Sequence, residues 1–288
     1  MTARNASQRS PEEDAVHAFG RATAAALRSL YRSEIADEYS VHAVTSRSAV
    51  ALVTSARVAE FNRVINLGLF ESGTVEQLDG LVELYAHQRV PFMVQLSPIA
   101  RPRELESWLI ERGFRSADEW TVMSRNLSAP IADASSHDTV QIGPSEASLY
   151  ARVHEAAFGL AFGEGNLAAK AIGESGWHHY LVRDERRPFA AAAMFVHERT
   201  ALFAGSGTLH AETGRGAQAA LVIRRLRDAA AFGCDFAFVE TDEDLRRATP
   251  AALRNVMRSG FTVAFRERTY VYDRGLRVRL DLASGRWA

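Results

Sequence analysis

The sequence predicts a mixed α/β protein built from two copies of one domain. The chain has 288 residues, which suggests about two domains at roughly 150 residues per domain. Its hydrophobic content of 47% is ordinary for a globular protein and too high for a disordered one. Strand and helix patterns are interspersed along the whole chain, and one ordered series of motifs occurs twice.

The first half predicts three helices and four strands. Residues 15–31 form an amphipathic helix pattern, because Val16 and Phe19 begin an apolar face. Thr74 is expected to cap a second helix, since Gln77 follows three residues later and apolar residues then recur at helical spacing. A third helix is predicted at 102–112. The predicted strands lie at 49–53, 64–69, 91–96 and 120–126.

The second half follows a predicted linker at 128–138, which is rich in Ala, Ser, Asp and Pro and has no periodicity. A long helix is expected at 216–232, with Ile223 and Leu226 on its apolar face and Arg225 on its polar face. Further helices are predicted at 146–158, 167–175 and 250–258, and strands at 140–143, 179–182, 190–197, 201–209, 236–240 and 269–272.

The two halves share an ordered series of motifs. Each has an apolar strand of the form F-x-x-V, which begins at Phe92 in one half and at Phe236 in the other. Each strand is followed by a short helix that ends in Gly-Phe, as I-E-R-G-F at 110–114 and M-R-S-G-F at 257–261. Duplication of one domain explains the series, and we place the two copies at 13–128 and 139–288.

Charge and composition exclude several classes of protein. The formal net charge of −1 argues against a nucleic-acid binder, which carries a basic surplus. The apolar run at 189–196 is far shorter than the roughly 20 residues that span a bilayer. We expect a cytoplasmic protein without nucleic-acid or membrane partners. One cysteine, Cys234, and an adjacent His178–His179 pair without i,i+4 spacing predict no metal site.

The segment that predicts chemistry is a glycine-containing loop between a strand and the long helix. Gly214 and Gly216 allow a tight turn and a close approach of a ligand to the backbone. Helix N-termini bind phosphate through their free N–H groups, and Arg215 adds a charge. An ordinary strand-to-helix turn remains the alternative. The spacing does not match a P-loop, and Ala219 replaces the third glycine of a dinucleotide motif.

The order of strand, T-G-R-G-A-Q, long helix, strand and A-A-L-R-N-V-M-R-S-G-F resembles the core of GNAT-superfamily N-acetyltransferases. The resemblance covers about 140–280. It implies two tandem GNAT-like domains, each with a mixed, mostly antiparallel sheet flanked by helices, and acetyl-CoA as co-substrate. In the family's Arg/Gln-x-x-Gly-x-Gly/Ala loop, Thr213 takes the first place, Gly216 the glycine place and Gln218 the last. Thr213 thus removes one basic contact to phosphate.

The resemblance also implies the residues that bind the cofactor. These are Thr208, Leu209, His210, Gly214, Arg215, Gly216, Ala217, Gln218 and Asn255. The first half lacks this loop, because the equivalent segment F-E-S-G-T-V-E-Q has one glycine and two carboxylates that repel a pyrophosphate. We expect the first half to supply structure or one wall of the acceptor pocket.

Acyl transfer to an amine requires a base, an acid and N–H groups that polarise the thioester carbonyl. In GNAT folds the acetyl group lies where the fourth and fifth strands separate. These strand ends correspond to 208–210 and 239–241 here, so Glu240 is the first candidate base and His210 the second. The place of the family's acidic tyrosine is Val256, which leaves the acid to Tyr270, Tyr272 or water.

The acceptor is expected to contact an aromatic-rich segment between the first helices of the second unit and the strand that follows. Its candidate substrate-binding residues are Phe158, Trp177, His178 and Tyr180. Stacking or cation–π contacts suit an amine acceptor, whereas a packed lid without ligand contacts is the alternative.

The function predicted from these residues is acetyl-CoA-dependent N-acetylation of a primary amine on a small-molecule acceptor, by a monomer or homodimer. Two alternatives stay open: a non-catalytic coenzyme A-binding or ligand-sensing protein, and an acyltransferase that uses a longer acyl-CoA.

Overall fold

A computed structural model describes residues 10–30, 42–55, 59–117, 119–131, 137–160, 165–185, 187–241 and 251–273. The described helices are α1 (Pro11–Leu30), α2 (Val75–Gln88), α3 (Leu105–Glu111), α4 (Ala147–Phe158), α5 (Gly165–Ala169), α6 (Ala217–Ala231) and α7 (Ala251–Arg258). The strands of the first half are β1 (His42–Ser46), β2 (Ala49–Val53), β3 (Arg63–Ile65), β4 (Phe92–Leu96), β5 (Arg115–Ser116) and β6 (Trp120–Asn126). Those of the second half are β7 (Asp138–Ile142), β8 (Trp177–Asp184), β9 (Arg187–His197), β10 (Thr200–Thr208), β11 (Phe236–Thr241) and β12 (Thr262–Tyr272).

One unit of structure occurs twice in the chain. In the first half β1, β2 and β3 pair antiparallel, and α2 then connects β3 to the parallel strand β4. In the second half β8, β9 and β10 pair antiparallel, and α6 connects β10 to the parallel strand β11. The mixed α/β fold class predicted from the sequence is therefore confirmed.

The Gly-Phe motif has the same structural role in both copies. Gly113 and Gly260 follow α3 and α7 with φ angles of +89° and +87°, a conformation that glycine adopts without strain. The next residues, Phe114 and Phe261, are buried in the core clusters of the first and second halves respectively. The motif therefore ends a short helix and anchors the turn into the final strands.

The final strands of the two halves are exchanged. Strand β6 of the first half pairs with β11 of the second, from Phe236 opposite Asn126 to Thr241 opposite Thr121. Strand β12 of the second half pairs with β4 of the first, from Arg268 opposite Leu96 to Tyr272 opposite Phe92. The strand order is β1-β2-β3-β4-β12-β6-β11-β10-β9-β8-β7, with β5 beside β12. Each half thus completes the sheet of the other, while the limits 13–128 and 139–288 stay a prediction.

Helix α2 begins as the sequence predicts. The Thr74 side chain accepts a hydrogen bond from the Gln77 backbone N–H at 3.1 Å. The Gln77 side chain does not return to the cap, because its Nε2 donates to the Ser46 carbonyl at 2.6 Å. The helix then packs Tyr85 against Phe92 of β4, with stacked rings 4.0 Å apart between centroids.

Several predicted boundaries need correction. The helix predicted at 167–175 is Gly165–Ala169, and the one predicted from 15 begins at Pro11. The strand predicted at 64–69 ends at Ile65, because the chain turns through Gly68 at a φ angle of +74°. The helix predicted from 102 begins at Leu105. The strand predicted from 269 begins at Thr262, since alternate residues Phe265, Glu267 and Thr269 are buried. Residues 132–136 of the predicted linker lie outside the described residues.

In the ranges that the structure describes, no helix is both long and apolar enough to cross a membrane.

Candidate functional site

The candidate site lies where β10 and β11 separate. The two strands pair in parallel only over Thr200–Phe203 and Phe236–Val239. Beyond Phe203, β10 has an irregular register against β9 between Ala204 and Gly207, and Gly205 has a φ angle of +55°. Such a bulge bends the strand and releases backbone groups from the ladder. The separation on β10 therefore begins before the 208–210 segment that the sequence indicated.

A cavity of about 270 Å³ occupies this opening. Most of its walls are apolar, and both halves of the chain supply them. The first half contributes Leu27, Leu30, Leu52, Phe61, Arg63 and Trp120. The second half contributes Tyr150, His154, Phe158, Ala168, Trp177, Ala193, Phe203, Ala204, Gly205, Ser206, Gln218, Val222, Arg225, Val239, Glu240, Thr241, Leu253 and Val256. The first half thus forms one wall of the cavity.

Glu240 is held at the junction of the two halves. Gln95 Nε2 of β4 donates to Glu240 Oε1 at 2.7 Å. Arg63 Nη1 of β3 lies 3.4 Å from each oxygen of the Glu240 carboxylate and 3.2 Å from Gln95 Oε1. The Arg63 guanidinium also lies 5.9 Å from the centroid of the Trp120 ring. Residues of the first half therefore fix the orientation of this carboxylate.

A second carboxyl group lies beside Glu240. Glu267 of β12 is only 8% exposed. The pKa of Glu267 is raised to about 8, mainly by burial and also by the negative charge of Glu240, while the positive charge of Arg63 opposes both effects. Glu267 is thus largely protonated at neutral pH, and the ion pair at this place is that of Arg63 with Glu240.

The loop before α6 has the backbone that the sequence predicts. Gly214 and Gly216 both have φ angles of +88°, and Gly216 is the N-cap residue of α6 without a side-chain cap. A Cβ on Gly214 would meet nothing within 4 Å among the described residues. A Cβ on Gly216 would lie 3.6 Å from His137 Nε2, so His137 adjoins the start of α6. The free N–H groups at the helix N-terminus suit an anion.

Arg215 is not free to act as a simple phosphate ligand. Its Nη1 pairs with Glu212 at 2.5 Å and its Nη2 pairs with Asp184 at 2.8 Å. The guanidinium also lies 4.9 Å from the centroid of the Phe189 ring. Two carboxylates thus offset the positive charge that the loop presents.

The other predicted cofactor residues are divided between the cavity and its surroundings. Gln218 lines the cavity, and Ala217 is buried in the first turn of α6. Thr208 pairs with Ala190 of β9, and the Leu209 N–H donates to Phe189. His210, the second candidate base, is exposed in the turn at His210–Glu212 and does not line the cavity.

Asn255 lies on α7 between cavity-lining residues and is half-buried. Val256, at the place of the family's tyrosine, is one of the residues that line the cavity. Tyr270 and Tyr272 pack into the core of the first half, so neither reaches the cavity. No tyrosine therefore replaces the missing acid from α7 or β12 within the described residues.

Two of the four predicted acceptor residues line the cavity and two do not. Phe158 and Trp177 line it. His178 stacks on Phe232 with ring centroids 4.4 Å apart, and Tyr180 donates to Asp228 Oδ2 at 2.8 Å. Neighbouring residues of a strand point to opposite faces, so β8 presents Trp177 to the cavity and His178 away from it. The predicted contacts of His178 and Tyr180 with the acceptor are corrected accordingly.

Sequence reasoning missed three polar residues of the cavity, Tyr150 and His154 on α4 and Arg225 on α6. Tyr150 and His154 occupy one face of α4, one helical turn apart. Arg225 is 1% exposed, although the sequence placed it on the polar face of α6. It lies four residues after Leu221 and four before Ala229, both of which are buried, and this spacing was the signal for burial.

Among the described residues, no group of three or more His, Cys, Asp or Glu side chains is placed to hold a metal ion. The site offers side-chain and backbone hydrogen-bonding groups, carboxyl groups and an apolar pocket.

Comparison with known proteins identifies the fold. The sequence matches no protein-family model and no curated protein. The structure is similar to a GCN5-related N-acetyltransferase from Kribbella flavida, with a TM-score of 0.63, 17% identity and coverage of 88% of this chain and 94% of that one. It is also similar to a GCN5-related N-acetyltransferase from Sphaerobacter thermophilus, with a TM-score of 0.57, 15% identity and coverage of 78% and 76%.

A third similar structure contains a repeat. It is a tandem GNAT protein from the clavulanic acid biosynthesis pathway, with a TM-score of 0.55, 12% identity and coverage of 91% of this chain and 95% of that one. The chain therefore has the GNAT fold that its loop motif indicated. At these identities the likeness establishes the fold, and function must be argued from the site.

Proposed function

We propose that this chain is an acetyl-CoA-dependent N-acetyltransferase that transfers an acetyl group to a primary amine of a small-molecule acceptor. The observation that supports this most is the position of the cavity. It opens at the separation of β10 and β11, with Gln218 of α6 on one side and Glu240 on the other. A thioester held by the loop and an amine held beside Glu240 would meet in this opening.

The residues of the loop fit the phosphate groups of coenzyme A. Gly214 and Gly216 keep side chains out of the loop before α6, where His137 is the neighbour of Gly216, and the helix dipole favours an anion there. Acetyl-CoA supplies the activated acyl group when it is bound. The irregular backbone of β10 at Ala204–Gly207 supplies N–H groups outside the regular ladder, which suit a developing oxyanion.

Glu240 is proposed as the base that accepts a proton from the acceptor ammonium, directly or through water. Its carboxylate lies in the cavity wall and is oriented by Gln95 and Arg63. Because Val256 cannot donate a proton, water is proposed to protonate the leaving thiolate.

Two alternatives have specific support. A coenzyme A-binding or ligand-sensing protein without catalysis would explain three departures from the GNAT pattern. These are Thr213, Val256 and the pairing of Arg215 with Glu212. The cavity continues along apolar residues of the first half, which suits a longer acyl group.

The deciding experiment combines binding with turnover. Acetyl-CoA is titrated into the intact chain by calorimetry, and free thiol is then measured with a broad panel of primary amines. We expect both binding and thiol release. Binding without release from any amine favours the sensor, and no binding at millimolar acetyl-CoA rejects both the acetyltransferase and the sensor. Faster release in a series of thioesters with longer acyl chains favours the acyltransferase that uses a longer acyl-CoA.

A substitution in the loop tests how coenzyme A is held. Glu212→Gln removes the carboxylate that pairs with both Arg215 and Arg187 beside the loop, so acetyl-CoA is expected to bind roughly two- to fivefold more tightly, the size of a surface ion pair. The gain should shrink in high salt. Glu106→Gln is the matched control, because it removes an exposed carboxylate that pairs with Arg268 in the first half. Unchanged or weaker binding in the Glu212 variant would place the phosphates elsewhere.

A further inference from the structure

Arg225 is a buried cation without a carboxylate partner among the described residues. It is 1% exposed and its guanidinium lies 4.4 Å from the centroid of the Phe203 ring. Burial lowers the pKa of Arg225 to about 10, so it remains charged at neutral pH. A buried charge is costly unless an opposite charge or several acceptors compensate it.

Part of this guanidinium has a structural role. Arg225 Nε donates to Leu221 O of the same helix at 3.1 Å. Its Nη1 donates to Ala193 O of β9 at 3.0 Å and lies 3.5 Å from Ala204 O, at the start of the β10 bulge. These bonds satisfy carbonyls near the irregular register. They leave Nη2 without an acceptor in the described part of the chain, while Arg225 lines the cavity.

Two further polar groups lie at the same place. Tyr150 is fully buried, and its hydroxyl has no hydrogen-bond partner within the described ranges. His154 is 5% exposed with an unpartnered Nδ1, and burial lowers its pKa to about 4, so its ring is neutral. A Cβ on Gly205 would lie 3.2 Å from Tyr150 Oη and 3.2 Å from His154 Nε2. Both side chains thus face the backbone of the bulge.

We propose that Arg225, Tyr150 and His154, whose polar groups lie beside Gly205, form a subsite for a carboxylate of the substrate; we call it the bulge subsite. A carboxylate there would accept from Arg225 Nη2 and from the Tyr150 hydroxyl, which are donors without another acceptor. A single guanidinium matches one negative charge. The inference rests on the proposed function and deepens it, because it means that one of the two substrates carries a carboxylate.

The carboxylate has two possible sources in acyl transfer. An amino acid acceptor would place its own carboxylate in the bulge subsite. A dicarboxylic acyl thioester would place the free end of its acyl chain there. Both sources present a carboxylate to the same residues. The test therefore compares each compound with a similar compound that lacks the carboxylate.

The test uses the intact chain and two matched pairs of probes. One pair is L-phenylalanine and 2-phenylethylamine as acceptors, and the other is succinyl-CoA and butyryl-CoA as acyl donors. We expect the carboxylate-bearing member of one pair to be favoured at least tenfold in kcat/KM. In Tyr150→Phe that preference should fall at least fivefold, because the hydroxyl donor is gone. A lack of preference in both pairs, or an undiminished preference in Tyr150→Phe, overturns the inference.

The stability of Tyr150→Phe distinguishes a ligand-binding role of the Tyr150 hydroxyl from a structural one. Removal of an unpartnered buried hydroxyl should leave the denaturation midpoint of Tyr150→Phe unchanged or raise it. Tyr85→Phe is the comparison, because its hydroxyl donates to Leu52 O at 2.5 Å and its loss should lower the midpoint. A lower midpoint for Tyr150→Phe would show that its hydroxyl is already bonded within the protein.

Equilibrium binding distinguishes failure of the proposed function from failure of the bulge subsite. If no thioester binds, the affinities of L-phenylalanine and 2-phenylethylamine are compared in the wild type and in Tyr150→Phe. A carboxylate preference that depends on Tyr150 then supports the bulge subsite without acyl transfer, and its absence rejects the bulge subsite as well.

Discussion

Glu240→Gln is expected to lower kcat for acyl transfer by about 100-fold or more, the usual range for loss of a general base. Glutamine keeps an oxygen that can accept from Gln95 and Arg63, so the position of the side chain should be preserved. The amide cannot take a proton from the acceptor ammonium. The measurement is the steady-state rate of thiol release at saturating acetyl-CoA and amine.

Two controls separate the role of Glu240 in proton transfer from a role in structure. Acetyl-CoA affinity and the denaturation midpoint of Glu240→Gln should both match the wild type. The rate should also approach wild type at high pH, where the amine is already neutral and needs no base. A variant that keeps full activity at neutral pH would eliminate Glu240 as the base.

Separation of the chain into residues 1–131 and 132–288 is expected to yield two fragments that do not fold alone. The first fragment loses β12, and with it the buried Tyr270 and Tyr272 of its core. Removal of a buried aromatic side chain costs about 3–5 kcal/mol, which for two side chains approaches the whole stability of a typical domain. It also exposes the edge of β4, which invites aggregation.

Reassembly is the matching control. The two fragments should fold when they are expressed together, and a full chain cut by protease in the 128–138 segment should stay associated until denaturant is added. Circular dichroism, size-exclusion chromatography and urea titration measure these outcomes. A cooperative unfolding transition in either isolated fragment would contradict the structural importance of the exchanged strands.

The sequence predicted the local elements of the fold well, because their signals are short in range. Thr74 and Gln77 defined the start of α2, and Gly260–Phe261 defined the end of α7. The strand exchange was not predictable in this way. Both copies end in similar apolar strands, so either strand satisfies the pattern beside β4 or β11, and only the folded chain selects between them.

The sequence predicted the loop of the candidate site and Glu240. It did not predict the residues from distant segments that surround them. Arg63 lies on a short strand of the first half, 177 positions before Glu240, and no local pattern connects the two. Arg225 carries a charge that favours a surface position, and its burial follows from the bulge carbonyls that it satisfies. In the sequence Tyr150 is an ordinary residue of a helix pattern. Only the fold shows that the bulge in β10 brings Gly205 against it.

We propose that this chain binds a coenzyme A thioester at the start of α6, and not at the equivalent place in the first half. Two exposed carboxylates flank the start of α2, Glu71 before the helix and Glu76 in its first turn, whereas the loop before α6 carries two left-handed glycines. Calorimetric titration of acetyl-CoA into the intact chain tests this most directly. We expect saturable binding with one site per chain, whereas two sites per chain or no binding at millimolar acetyl-CoA would rule out this assignment.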